Sequence, residues 1–241
     1  MLVSRTSVHL RAGLVAALAA TLASPAAALG APVTDGPGAY ALNGTARVTG
    51  ADPSVIQLTG GGFKQAGSVW AGGTVDPAGT FEVEFTAHLR GAERGADGIA
   101  LVVQGQGPRA LGGWGGGLGY RGVRQSVAVE FDTHRNASDP DGNHLAVTLG
   151  GNPDRQQAVT DPGIALSGQP FRVRVRYEAG RELRVYLGAD LSAPAQRLVL
   201  SQPVDLAGAV GGPVAWVGFT GSTGLVTSEQ HVYDWTIGVT G

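Results

Sequence analysis

The sequence contains no cysteine. A disulfide framework and a cysteine nucleophile are both excluded, so stability must come from a packed core and, by expectation, from bound metal. Charge is also scarce: 15% of the residues are Asp, Glu, Lys or Arg, and the formal net charge is −2. With no basic run anywhere, nucleic acid and anionic membrane are excluded as partners. The one extended apolar run, Ala12 to Ala23, is too short for a membrane span, and nothing later qualifies. No Gly-x-Ser-x-Gly elbow marks a serine nucleophile. Beyond the N-terminus no segment keeps a helical period for more than a few residues. What the chain does have is punctuation, with 40 glycines and 13 prolines breaking it into short runs.

Met1 to about Gly30 reads as an export signal. Arg5 and Arg11 are basic, Ala12 to Ala23 is apolar, and Ala26-Ala27-Ala28 offers a small-residue cleavage site, with Ala28 or Gly30 the last residue removed. This predicts a secreted, extracellular protein, and the Ala/Gly-rich, cysteine-free composition predicts a bacterial one. Residues 31–241 fit one domain that is large enough to bury a real core. Short β-type runs predict strands over Tyr40–Val48, Val55–Leu58, Ser68–Trp70, Thr80–His88, Gly98–Val103 and Ser126–Asp132. Further strands are predicted over His144–Leu149, Phe171–Tyr177, Leu183–Leu187, Gln196–Leu200, Ala215–Thr220 and His231–Ile237. Phe81, Val83 and Phe85 alternate with Glu82 and Glu84, and Phe171, Val173, Val175 and Tyr177 with Arg172, Arg174 and Arg176. One face is in the core and one in water. The fold class is all-β, an antiparallel β-sandwich.

The most informative stretch is Val127 to His144, VAVEFDTHRNASDPDGNH. Alternation sends Glu130 and Asp132 to one face of a strand, about 7 Å apart, close enough to share a cation. Asn136, Asp139, Asp141, Asn143 and His144 follow, and Ser138-Asp139-Pro140-Asp141-Gly142-Asn143 is turn chemistry that folds the loop back over the strand. Hard oxygen donors suit calcium, and adding one imidazole suits a transition-type ion such as manganese. Like charges this dense need a counter-ion.

Glu130-Phe131-Asp132-Thr133, Asn136, Asp139-Pro140 and His144 resemble, at the same spacing, the metal-binding signature of the legume (L-type) lectins. The resemblance implies the jelly-roll sandwich of concanavalin A-like lectins. It also implies that Glu130, Asp132, Asp139 and His144 hold manganese, and that Asp132, Asn136, Asp139 and the His134 carbonyl hold calcium. Ala96-Asp97-Gly98 falls where that family carries an Asp that accepts hydrogen bonds from sugar hydroxyls, behind a cis Ala–Asp peptide bond. Gly112-Gly113-Trp114-Gly115-Gly116-Gly117-Leu118-Gly119 is similar to the family loop whose glycine N–H donates to sugar. Gly116 matches that glycine, with Gly115 and Gly117 as alternatives. Leu225 and Val226 fall in the loop that helps to choose the sugar. His134 departs from the usual Phe or Tyr of the stacking position, and Trp114 is a candidate substitute.

The residues support the same chemistry without the family. A sugar site needs a carboxylate acceptor, amide or backbone donors and a flat ring. Asp97 is the acceptor, the Gly116 N–H and the Asn136 amide are the donors, and His134 is the ring. A β-sandwich glucanase needs a second Glu three residues after Asp132. That position is Arg135, so hydrolysis is not expected. A metal-stabilised adhesive or structural sandwich is the remaining rival. The expectation is a secreted, non-catalytic, calcium- and manganese-dependent carbohydrate-binding lectin, assembling as a homo-oligomer through its back sheet.

Overall fold

A computed structural model describes residues 40–49, 55–91 and 95–240. The export signal expected over residues 1–30 lies outside these. The first strands in chain order are β1 (Tyr40–Gly44), β2 (Arg47–Val48), β3 (Val55–Gly60), β4 (Ala66–Ala71), β5 (Thr80–Arg90), β6 (Gly98–Gln104) and β7 (Ser126–Asp132). They are followed by β8 (His144–Leu149), β9 (Gln156–Thr160), β10 (Phe171–Glu178), β11 (Glu182–Gly188), β12 (Arg197–Pro203), β13 (Trp216–Ser222) and β14 (Glu229–Thr240). The front sheet has the order β1-β4-β13-β6-β7-β8-β9, and the back sheet β12-β11-β10-β5-β14-β3-β2. Every pairing within the two sheets is antiparallel. This is the sandwich expected.

Each predicted strand is present, with three differences. The run Tyr40–Val48 breaks at Gly44, whose φ of +62° leaves the strand region; a Cβ there would sit 2.1 Å from the Ala66 carbonyl oxygen. The break sends β1 to the front sheet and β2 to the back one. Strand β9, Gln156–Thr160, was not predicted, because its two glutamines give no β signal. It forms by pairing at the sheet edge with β8. A single helical turn, α1 (Leu206–Val210), is capped by the Asp205 carboxylate, which accepts from Gly208 N–H, and by Gly211 at φ +71°.

The alternations read from the sequence hold. Phe81, Val83, Phe85, Phe171, Val173, Val175 and Tyr177 are buried between the sheets, where Phe85 meets Phe131 and Phe219 edge-on. The opposite face of β10 presents Arg174 and Arg176 to Glu82 at 3.5 and 3.8 Å.

The front sheet is different: β6 and β7 are buried on both faces. The segment between them folds back over the outer surface, and Leu118, Tyr120 and Val123 build a second small core against Trp70, Ala100, Val102 and Ala128. Polar groups of the sheet anchor its backbone. Ser68 Oγ and Trp70 Nε1 donate to the Ala110 carbonyl at 2.7 and 2.9 Å. Thr220 Oγ1 donates to Leu118 O at 2.7 Å and Ser222 Oγ to Gly115 O at 2.6 Å. Backbone lies on backbone here, which is what the glycines permit: a Cβ on Gly119 would be 2.8 Å from Gly221 O.

Candidate functional site

Cross-strand register assembles the site. Ser222 of β13 faces Gly98 of β6, Gly98 faces Asp132 of β7, and Asp132 faces His144 of β8. One row along, Glu130 lies between Ala100 and Ala146, whose small side chains leave room for its carboxylate. Both acids are on the outer face, as the alternation predicts, yet that face is roofed rather than wet: Glu130 is 1% exposed and Asp132 3%.

The β7–β8 loop folds back as its turn residues predict. One ligand atom each from Asp132, Asp139 and His144 lie within 4.8 Å of one another, all three residues buried. Asp139 is held from both sides, accepting from Asn136 N–H at 2.7 Å and from Gln156 Nε2 at 3.0 Å. The His144 Nε2 lies 3.8 Å from Asp139, and its buried Nδ1 has no hydrogen-bond partner. Asp132 accepts from the His134 N–H at 2.7 Å. Glu130 takes the hydroxyl of Tyr120, which also meets Thr148 Oγ1 at 2.7 Å.

Burial pushes the Glu130 carboxyl up to about 8; the Tyr120 hydrogen bond opposes this, and Asp139 adds to it. Burial likewise holds Asp132 well above the carboxylate range, against the His134 hydrogen bond and reinforced by Glu130 and Asp139. Buried acids this close stay ionised only beside a cation. Three buried donors, Asp132, Asp139 and His144, with a raised-pKa carboxyl behind them are a donor set that fits a divalent metal.

Beside this cluster is a second group of open polar atoms. The Ala96–Asp97 peptide bond is cis. Asp97 N–H donates to Ser222 O at 2.9 Å, and its carbonyl accepts from the Thr133 N–H and hydroxyl at 2.9 and 3.1 Å. The backbone is thus fully engaged, while the buried carboxylate oxygen Oδ2 has no partner. Burial raises the Asp97 carboxyl to about 6, and the His134 imidazole opposes the shift. Among the three candidate glycines, Gly115 N–H is spent on Thr223 O and Gly117 N–H on Trp114 O. The Gly116 N–H finds no acceptor among the described residues. Gly116 also backs onto the Asn136 side chain: a Cβ there would be 2.6 Å from Asn136 Oδ1.

The His134 ring and Val226 line an open groove of about 600 Å³ with Thr133, Arg135, Asp141, Gly142 and Asn143. Leu225 stands in solvent, 78% exposed, outside that groove. Trp114 does not lie in the groove either; it packs under the Lys64 ammonium, 5.1 Å from its ring centroid.

Sequence reasoning missed four contributors. Tyr120 follows the glycine-rich loop directly and carries no sequence motif of its own. Gln156 is on the unpredicted strand. Gly224 had no assigned role, yet a Cβ there would come 3.3 Å from Asp97 Oδ2. Arg121 reaches from the glycine loop to Asp154 through two contacts of 2.5 and 2.9 Å, and to Gly116 O at 3.3 Å. Only the Tyr and the Arg offered a signal, as large side chains among glycines.

Residues 40–241 match the model of the legume lectin domain. The probable L-type lectin-domain containing receptor kinase S.5 of Arabidopsis thaliana is 31% identical over 216 residues, covering 85% of this chain and 30% of that protein. The seed lectin of Styphnolobium japonicum is 32% identical over 153 residues, 59% of this chain and 49% of its own. The chain therefore spans about a third and a half, respectively, of these relatives. Among solved structures, basic winged bean lectin with Tn-antigen superposes with a TM-score of 0.72 at 21% identity, covering 84% of this chain and 92% of that one. The lectin from Bauhinia forficata in complex with GalNAc gives 0.72 at 22%, covering 87% and 96%. With the family model covering the whole described sandwich, this chain belongs to the legume lectin domain family, whose lectin domains are non-catalytic and carbohydrate-binding, in some relatives as part of a receptor kinase.

Proposed function

We propose that the protein is a secreted, non-enzymatic lectin that binds a sugar at Asp97, Gly116 and Asn136 beside a calcium- and manganese-ordered loop. One observation carries this reading: the buried Asp97 Oδ2 has no partner in the protein, and Gly224 alone separates it from the glycine loop, whose open Gly116 N–H lies beside the Asn136 side chain. Unpartnered buried polar atoms are costly, so such a set is a demand for a ligand that brings hydroxyls in fixed directions. The His134 imidazole, on the edge of the adjoining groove, supplies a smaller stacking face than a phenyl ring.

In this reading Asp132, Asn136, Asp139 and the His134 carbonyl hold calcium, and Glu130, Asp132, Asp139 and His144 hold manganese. The ions supply counter-charge and fix the loop that carries Asn136. They do not meet the sugar in this scheme. Asp97 accepts hydroxyl protons, the Gly116 N–H donates, and the Asn136 NH₂ donates while its oxygen faces the ion. The export signal over residues 1–30 and assembly through the back sheet belong to the same proposal, and several linked sites would raise the avidity of a weak single one.

The test is binding of the chain from Ala31 onward to a glycan panel, with calcium and manganese and again with EDTA. Binding that vanishes with EDTA and returns with metal supports the reading. Metal uptake without glycan binding would instead make this a metal-stabilised structural sandwich, and no metal uptake would sink the ion-ordered loop.

A further inference from the structure

Arg121 is the first charged residue after the glycine run, and it doubles back along that run. Its backbone closes the loop: Arg121 N–H donates to Gly117 O at 2.9 Å, and Gly113 N–H donates to Arg121 O at 3.1 Å. The side chain then lies over the turn. A Cβ on Gly117 would meet Arg121 Cβ at 3.1 Å, and one on Gly113 would meet Arg121 Cδ at 3.8 Å. At the tip, Nη2 donates to Gly116 O at 3.3 Å. Gly116 is thus held at its carbonyl by Arg121 and backed at its Cα by the Asn136 side chain, while its N–H stays open.

The guanidinium is itself held by Asp154, with Nη1 2.5 Å from Oδ2 and Nη2 2.9 Å from Oδ1. This bidentate fork fixes direction as well as distance. Asp154 stands in the turn between β8 and β9, where its N–H donates to Asn152 Oδ1 at 3.1 Å and Gly122 N–H donates to Gly151 O at 2.9 Å. Arg121 first, and then the Ser138 hydroxyl of the β7–β8 loop, hold the Asp154 carboxyl below the ordinary carboxylate range. Two residues further on, Gln156 donates to Asp139 Oδ1 at 3.0 Å and lies 3.3 Å from His144 Nε2. One short segment therefore grips both the glycine loop and the acid cluster. The pair is exposed on both sides, 42% and 52%, so it adds little to stability. What it does restrict is the direction of the neighbouring N–H, and a misplacement of about 1 Å is enough to lose much of an oriented contact.

We propose that Arg121, fixed by Asp154, is a positioning residue that aims the Gly116 N–H and ties it to the segment holding the acid cluster. The inference rests on sugar binding at Asp97 and Gly116, and adds to it a clasp that touches neither the sugar nor the ions. It makes the binding of an uncharged sugar depend on ionic strength.

The test is titration calorimetry of the protein, at saturating calcium and manganese, with uncharged methyl glycosides of the common pyranoses. Arg121→Ala and Asp154→Ala are each expected to weaken binding roughly five- to tenfold, and the double variant no further, since both changes remove the same pair. Raising sodium chloride to about 0.5 M is expected to weaken the parent by about two- to threefold and to leave the Arg121→Ala affinity unchanged. Metal stoichiometry and melting temperature stay at the parent's values. Unchanged affinity in either variant overturns the clasp. So do losses that multiply in the double variant, or a salt dependence that survives Arg121→Ala. A loss of metal alongside the loss of sugar overturns it too, by making the pair part of the metal loop's own structure. If Arg121→Ala does not fold, Asp154→Asn decides: it keeps the side chain's shape without the charge, and it must lose both affinity and the salt response. A parent that binds no methyl glycoside sinks sugar binding itself and the clasp with it, whereas failure of the clasp alone leaves the parent's affinity in place.

Discussion

Asp97 and Gly116 make their contributions by what they leave unfilled. The Asp97 backbone is locked by Ser222 and Thr133, so truncating the side chain changes the acceptor and little else. Asp97→Ala is expected to abolish glycan binding while calcium uptake, followed by calorimetry, stays intact. Retained binding would remove Asp97 from the site. Its carboxyl, raised to about 6 by burial, also sets a pH dependence. The ionised form accepts the hydroxyls, so affinity is expected to fall as the pH drops from 7 to 5 with metal kept saturating. Glycan titrations at the two pH values check this, and equal affinities would contradict it. Gly116→Ala places a Cβ 2.6 Å from Asn136 Oδ1. The amide must move, and binding is expected to weaken by at least tenfold with the melting temperature little changed. At this scale the sequence was legible wherever a residue's type was its function. The carboxylates, His144 and the glycine run could be read, whereas Gly224 and Gln156 act through position alone.

Elements decide which of these residues meet. Strand β7 carries Glu130 and Asp132 to the outer face of the front sheet, and its alternation made that legible. What the alternation did not show is the roof. A strand with acids on one face reads as half-wet, but Leu118, Tyr120 and Val123 cover it, because Ser68, Trp70, Thr220 and Ser222 bond the roof's carbonyls. Tyr120 then supplies the hydroxyl that faces Glu130 and Thr148. Tyr120→Phe leaves a buried carboxylate and a buried hydroxyl short of a partner, which costs about 1–3 kcal/mol. The metal-loaded protein is expected to melt several degrees lower by calorimetry, at about 2–4 °C per kcal/mol. An unchanged melting temperature would mean that the hydroxyl contributes nothing there. Strand β9 was illegible for a related reason: Gln156 and Gln157 form an edge strand because β8 offers a pairing partner, and propensity had no part in it.

At the scale of the whole molecule, the acidic cluster couples metal to stability. Glu130 has a folded pKa of about 8 against an ordinary 4.5. A carboxyl raised on folding contributes stability that is full below its unfolded pKa and is lost as pH rises through the folded one. Asp132 and Asp97 are shifted in the same direction. With EDTA present, the protein is therefore expected to melt at a higher temperature at pH 5 than at pH 8. Calcium and manganese replace the protons as counter-charge, so the gain in melting temperature on adding them should be larger at pH 8. At a hundredfold excess over the dissociation constant, each ion adds about 2.7 kcal/mol. Scanning calorimetry at both pH values, with EDTA and with metal, checks the sign. A larger metal gain at pH 5 would show that these acids are not the ligands.

The sequence by itself determined the all-β sandwich, the faces of its alternating strands and the identity of the donor atoms, because each follows from period, turn chemistry or functional group. The break at Gly44, the choice of Gly116 over its neighbours, the roof over Glu130 and the pairing of Gly224 with Asp97 were decided only by tertiary structure. Each of these depends on which backbone atom lies within about 4 Å of another, distant in sequence, and no local signal carries that distance.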